Sequence, residues 1–210
     1  MINKITCIKQ NKTNPKYSVF INNKFVFSIS GTDVLYFKLK EDEEISDEKF
    51  NNIINTIVFN EAKDKAMHFL GYKARTYKEV VNKLSVEEFS EEVICKVMDL
   101  LVKYSYVDDY KYAISYVKYM HNSKTHGKIR IKYELKQRGV QEDIIDKVLQ
   151  ELDLDETSNI LKLFDKKLKN GTNLDYKEKK KVFDYISRRG FSYEDISTAF
   201  EIYSQLQVKQ

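Results

Sequence analysis

The hexapeptide Leu135-Lys-Gln-Arg-Gly-Val140 has a counterpart on either side, Leu84-Ser-Val-Glu-Glu-Phe89 before it and Ile186-Ser-Arg-Arg-Gly-Phe191 after it, each displaced by 51 residues. The same offset aligns Ala62, Ala113 and Phe164; Ile94, Ile145 and Ile196; Val97, Val148 and Ala199; and Leu101, Leu152 and Tyr203. Apolar columns recurring at a fixed period are the mark of a repeat array. Within each unit the columns fall into three stretches at helical spacing. Polar residues break them, or Gly139 and Gly190, which suit the left-handed residue after a helix end. Each unit therefore reads as three helices. One such unit buries its apolar face poorly alone, so three in tandem are expected to stack into an elongated array.

Local signals agree with these boundaries. Thr76 with Glu79 and Asp175 with Glu178 have capping-box spacing, and Ser90 and Ser192 stand where third helices begin. Upstream the period changes. Ile2, Lys4, Thr6 and Ile8, then Tyr17, Val19 and Ile21, then Phe25, Phe27 and Ile29 alternate as strands do. Asn22-Asn23 suits a two-residue hairpin turn, because Asn tolerates positive φ. A small three-stranded sheet is expected, followed beyond the acidic stretch Glu41 to Glu44 by a helical region from near Ser46, with Phe50, Ile53, Ile54, Ile57 and Val58 on one stripe. The fold class is mainly α with a small amino-terminal β-rich region. The expected divisions are 1–45 for the β-rich region, 46–107 for a linking helix and the first unit, 108–156 for the second unit and 157–210 for the third.

The chain has 210 residues, six Gly and one Pro, which favours long regular elements with short connections. Its charged fraction is 32% but its net charge only +4, so the distribution of charge carries the information. Lys118, Lys124, Lys128, Arg130, Lys132, Lys136 and Arg138 face one Glu134 between 118 and 138, a net of +6. Between 141 and 156 seven acidic residues face one Lys147, a net of −6. The third unit repeats the basic theme with Lys177, Lys179, Lys180, Lys181, Arg188 and Arg189. Such stripes suit a polyanion or an acidic protein surface, although a lone lysine is ordinarily a solvated one. The second helix of the middle unit also carries two apolar stripes, Ile131 with Leu135 and, on about the opposite face, Ile129 with Tyr133. The second pair has no apolar counterpart in the other units. It is either a partner-contact patch framed by Arg130, Lys132, Lys136 and Gln137, or packing against the amino-terminal sheet or an adjacent unit.

No signature for catalysis is present: no phosphate-cradling Gly-rich loop, no GxSxG elbow, no His near a nucleophile. Cys7, Cys95, His68, His121 and His126 lack ligand spacing, so no metal and no cofactor is expected. Cys95 reads as a small core residue, Asp108-Asp109 as an N-cap, and His126 as a phosphate contact or a solvent-facing residue. Met1 to Gln10 has no apolar h-region and no run of about 18 apolar residues occurs, which points to the cytoplasm and away from a membrane.

Gly127-Lys-Ile-Arg-Ile131-Lys-Tyr-Glu134-Leu135-Lys-Gln-Arg138-Gly139-Val140 resembles the most distinctive motif of the RecX family, G-x-x-x-I-x-x-E-L-x-x-K/R-G-V/I. Tyr106-Val-Asp108-Asp109-Tyr-Lys-Tyr-Ala113 resembles that family's entry to its middle unit, and Phe69-Leu70 through Arg75-Thr76, Glu79-Val80 and Leu84 its first unit. The third unit matches by hydrophobic pattern, and Glu88 stands where its repeat equivalents have Gly. The resemblance implies a non-enzymatic, monomeric regulator of DNA repair, recombination and the SOS response. Such a protein lodges along a RecA filament on single-stranded DNA and modulates, usually inhibits, its recombinase, ATPase and co-protease activities. Arg75, Lys124, Lys128, Arg130, Lys132, Lys136 and Arg138 are the expected electrostatic contacts, with Ile129 and Tyr133 as the apolar anchor. The other readings are a helical protein that binds single- or double-stranded DNA directly through its basic helices, and a scaffold for some other protein.

Overall fold

A computed structural model describes residues 3–12, 15–168 and 175–208; Ile2, the first residue of the alternating pattern, lies outside them. Three strands, β1 (Asn3–Gln10), β2 (Lys16–Ile21) and β3 (Lys24–Ser30), form an antiparallel sheet. Asn22 and Asn23 make the hairpin turn at φ of 50° and 63°, as the sequence predicts. Two elements escape the periodicity because they are too short to show one. A helix α1 (Gly31–Tyr36) starts where Ser30 Oγ accepts from the Asp33 N–H at 3.1 Å, and a two-residue strand β4 (Glu44–Ile45) completes the sheet order β3-β2-β1-β4. Helical structure then begins as expected, with Ser46 capping α2 (Asp47–Asn52), which runs through a π-helical segment, Ile53–Val58, into α3 (Phe59–Tyr72). Helices α4 (Tyr77–Val86) and α5 (Glu91–Lys103) finish the first three-helix unit.

The middle unit comprises α6 (Asp109–Lys118) with its π-helical continuation Tyr119–Ser123, α7 (Lys128–Gln137) and α8 (Glu142–Glu151). The last comprises α9 (Glu156–Lys167), α10 (Tyr176–Ser187) and α11 (Tyr193–Val208). Both capping boxes form: the Glu79 N–H donates to Thr76 Oγ1 at 3.2 Å while the Thr76 N–H donates to Glu79 Oε2 at 3.1 Å, and Asp175 and Glu178 do the same. Gly139 and Gly190 take the left-handed conformation at φ of 84° and 92°, and Glu88 takes it too, at 64°.

The chain divides into two compact units, Met1–Asp108 and Asp109–Gln210. In the first, sheet residues Ile5, Val19, Ile21, Phe27 and Ile29 join Ile53, Val58, Leu84, Val97 and Leu101 in one apolar cluster. The second holds two clusters, one around Ala113, Ile131, Leu135 and Val148, the other around Phe164, Phe183, Ile186 and Ala199. The side chains in the six repeat columns are all buried except Leu152, which is half-buried. Cys95 corrects its sequence reading. It is exposed, because α5 turns Val93, Ile94, Val97 and Met98 inward and position 95 falls about 200° from position 93.

Candidate partner-binding face of the middle unit

Helix α7 is built on a backbone-to-backbone contact. The Gly127 N–H donates to the Arg189 carbonyl at 2.9 Å, the Ile129 N–H to the Gly190 carbonyl at 3.1 Å, and the Lys128 N–H to Glu156 Oε1 at 2.7 Å. Groups from the last unit thereby satisfy N–H donors that a helix start leaves without intrahelical partners. The approach is so close that a Cβ on Gly127 would lie 2.3 Å from the Gly190 oxygen, and one on Gly190 2.3 Å from Arg130 Cβ. Burial pushes the Glu156 carboxyl above its ordinary range, partly opposed by the Lys128 N–H and charge.

The fixed positions of the quoted motif are thereby accounted for. Gly127 permits the contact, Ile131 and Leu135 are fully buried, Gly139 ends the helix and Val140 enters the core. Glu134 accepts from Tyr116 Oη and from Arg130 Nε, the latter at 2.8 Å, which ties α7 to α6. Burial would raise the Glu134 pKa, but these two donors and the Arg130 charge outweigh it and hold the carboxyl below its usual range. The Arg138 guanidinium lies 4.9 Å from the Tyr116 ring centre.

The motif's unspecified positions point outward. Ile129 is 60% and Tyr133 62% exposed, so neither is buried within its own compact unit. Around them the expected cations differ in availability. Lys132 pairs with Glu142 at 3.0 Å and with Asp146, and Lys136 pairs with Glu142 at 2.7 Å, so α8 neutralises part of the α7 stripe. Arg130 is exposed but holds Glu134 and the Arg188 carbonyl. Lys124 is exposed, with its Nζ 5.5 Å from the Tyr119 ring centre, and Lys128 is half-buried. Arg75 belongs to the other compact unit, half-buried, with its guanidinium 4.0 Å from the Phe69 ring centre. The pairing of α7 with α8 is what the sequence reading missed, although the adjoining +6 and −6 segments carried the signal.

His126 fits neither of its two sequence readings fully. It is half-buried with Nδ1 enclosed and without a partner, and desolvation followed by the neighbouring Arg130 charge lowers its pKa. Asp108 directly precedes α6, which itself starts at Asp109. Among the described residues no group of three or more His, Cys, Asp or Glu could hold a metal ion, and no helix is long and apolar enough to cross a membrane.

Family models match in four stretches: the RecX N-terminal domain over residues 3–46 and the first, second and third RecX three-helix domains over 62–101, 108–149 and 155–200. The chain is 32% identical over 199 residues to the regulatory protein RecX of Caldanaerobacter subterraneus subsp. tengcongensis, covering 94% of this chain and 98% of that one. It is 30% identical over 197 residues to its namesake in Bacillus subtilis, covering 91% and 74%. A crystal structure of RecX from Lactobacillus salivarius matches with a TM-score of 0.65 at 26% identity, over 70% of this chain and 97% of that one. Another, of regulatory protein RecX, matches with a TM-score of 0.63 at 24% identity, over 98% and 100%.

Proposed function

Because the chain belongs to the RecX family of regulatory proteins, we propose that it binds the filament RecA forms on single-stranded DNA and lowers its recombinase, ATPase and co-protease activities. It acts as a cytoplasmic monomer without catalysing a reaction itself, and its working parts are the β-rich region 1–45 and the divisions 46–107, 108–156 and 157–210. The observation that carries this reading is the exposed Ile129 and Tyr133 pair on the same helix as Lys128, Arg130, Lys132 and Lys136. Large apolar side chains on an outward face, ringed by polar groups, form the common anatomy of a protein-binding hot spot. Arg75, Lys124 and Arg138 add positive charge that speeds encounter with an acidic surface. Three tandem units multiply weak contacts, and each contact raises the effective concentration of the next, which favours a filament over free subunits.

The test is the single-stranded-DNA-dependent ATPase of the cognate RecA, titrated with the native protein and with Ile129→Ser, Tyr133→Ser. Native protein lowers the rate at substoichiometric amounts, and the variant needs about thirtyfold more, as loss of an anchor worth about 2 kcal/mol requires. Equal potency would remove the pair from the interface. No effect of the native protein, with salt-sensitive DNA binding on its own, would favour the direct DNA-binding reading.

A further inference from the structure

The two basic helices of the second compact unit differ in whether their cations are already held. On α7, Lys132 and Lys136 are engaged by Glu142 and Asp146 of α8. One period of 51 residues onward, Phe183 and Ser187 replace the two lysines, and Tyr193 and Ser197 replace the two acids. The ionic latch of the middle unit is there an aromatic contact, with the Phe183 and Tyr193 ring centres 5.4 Å apart. The cations of α10 stand elsewhere on the helix. Lys177, Lys180, Lys181 and Arg188 are exposed, and their side chains carry no ion pair among the described residues.

At about 100° per residue these four fall within one arc of roughly 100°, opposite buried Ile186 and with buried Phe183 beyond the edge that Lys180 marks. Asp184 shares the arc and leaves it a net charge of +3. The remaining acid of the helix, Glu178, is turned back onto the Asp175 N–H by the capping box. Tyr176, 81% exposed, flanks the arc at the start of the helix. No large aliphatic side chain lies on this face, unlike that of α7.

We infer that α10 is the nucleic-acid-binding helix of this protein: its Lys177, Lys180, Lys181 and Arg188 stripe takes the phosphodiester backbone of a single strand and Tyr176 stacks on a base, while the α8 latch keeps α7 for protein. Phosphate binding releases counterions in proportion to the cations free to take part, so lysines already paired within the chain add little. A ring on a residue as exposed as Tyr176 is a stacking platform for any base. The inference does not rest on recombinase binding, and its test contains no recombinase.

Fluorescence anisotropy of labelled oligodeoxythymidylate, titrated with the full chain at several salt concentrations, measures it. Lys177→Ala, Lys180→Ala, Lys181→Ala lowers affinity at low salt at least tenfold and flattens the salt slope by about 2, since each phosphate contact on a single strand contributes about 0.7. Lys132→Ala, Lys136→Ala changes affinity less than twofold, and Glu142→Gln, Asp146→Asn raises it by freeing the latched lysines. These are exposed or half-exposed positions, and circular dichroism checks the fold of each variant. Unchanged DNA binding by the α10 variant, or an equal loss from the α7 variant, would overturn the assignment. So would an α10 variant that keeps DNA affinity but no longer binds polyglutamate, since the face would then read an acidic protein.

Discussion

Glu88 stands in a backbone conformation that its own repeat equivalents give to glycine. Its φ is 64°, against 84° and 92° at Gly139 and Gly190. For a residue with a Cβ the left-handed region costs roughly 1–2 kcal/mol, while glycine loses more chain entropy on folding, about 0.4–1 kcal/mol. Glu88→Gly is therefore expected to stabilise the first compact unit by about 0.5–1 kcal/mol, read as a rise in the urea midpoint at unchanged slope. A fall would mean that the Glu88 side chain contributes more than its backbone costs. At this scale the sequence was most legible where chemistry is local: Asn22-Asn23, the Thr76 and Asp175 capping boxes and Gly139 all name their conformations. Cys95 was misjudged because apolar neighbours on both sides hide which face of a helix a residue occupies.

Between elements, the contact of Gly127 with Gly190 explains why a motif that looks like a recognition sequence is largely a folding sequence. Gly127→Ala drives a Cβ to 2.3 Å from a carbonyl oxygen, and both partners are backbone, so neither can swing aside. A destabilisation of about 2–3 kcal/mol in the second compact unit is expected from such overpacking. Gly190→Ala meets the Arg130 backbone nitrogen at 2.4 Å and adds strain at φ of 92°, so its cost is larger. Urea denaturation of both variants ranks them, and equal stability to the native chain would deny that the contact is rigid. Such a contact joins positions 63 residues apart by backbone alone, and no periodicity reports it. The three-helix units were legible because their core columns repeat. The short strand β4 and the helix α1 were not, since each has too few residues to show a period. The pairing of α7 with α8 was written in the adjoining segments of opposite charge but depends on which helix faces meet, which charge counts alone do not give.

Across the whole molecule, acid acts through two classes of group. His121 is buried, with the Asn159 Nδ2 donor on its carbonyl at 3.0 Å. Desolvation chiefly lowers its pKa; Asp155 opposes the shift and Lys128 and Lys162 add to it. His126 is lowered likewise by desolvation and by Arg130, Arg189 and Lys124, against Glu134. The unfolded chain binds a proton at these residues near about pH 6.5, and the folded chain only at lower pH. Their contribution is thus present above about 6.5 and is lost as pH falls through that value toward the folded ones. Glu134 and Glu87 follow the carboxylate pattern: hydrogen-bonded donors hold both below their ordinary values, so their stabilisation is present above about 4.3 and lost beneath it. Glu156 runs the other way, because its raised pKa makes the ionised form a cost that acid relieves. Stability should therefore decline in two stages, first through the histidines and then through the carboxylates. In His121→Gln, His126→Gln the urea midpoint should be flat between about pH 7.5 and 5.5, where that of the native chain falls, even though the variant's absolute stability differs. A native midpoint that holds steady to about pH 5 would place the protonated imidazoles in water and remove the buried histidines as the source of acid sensitivity.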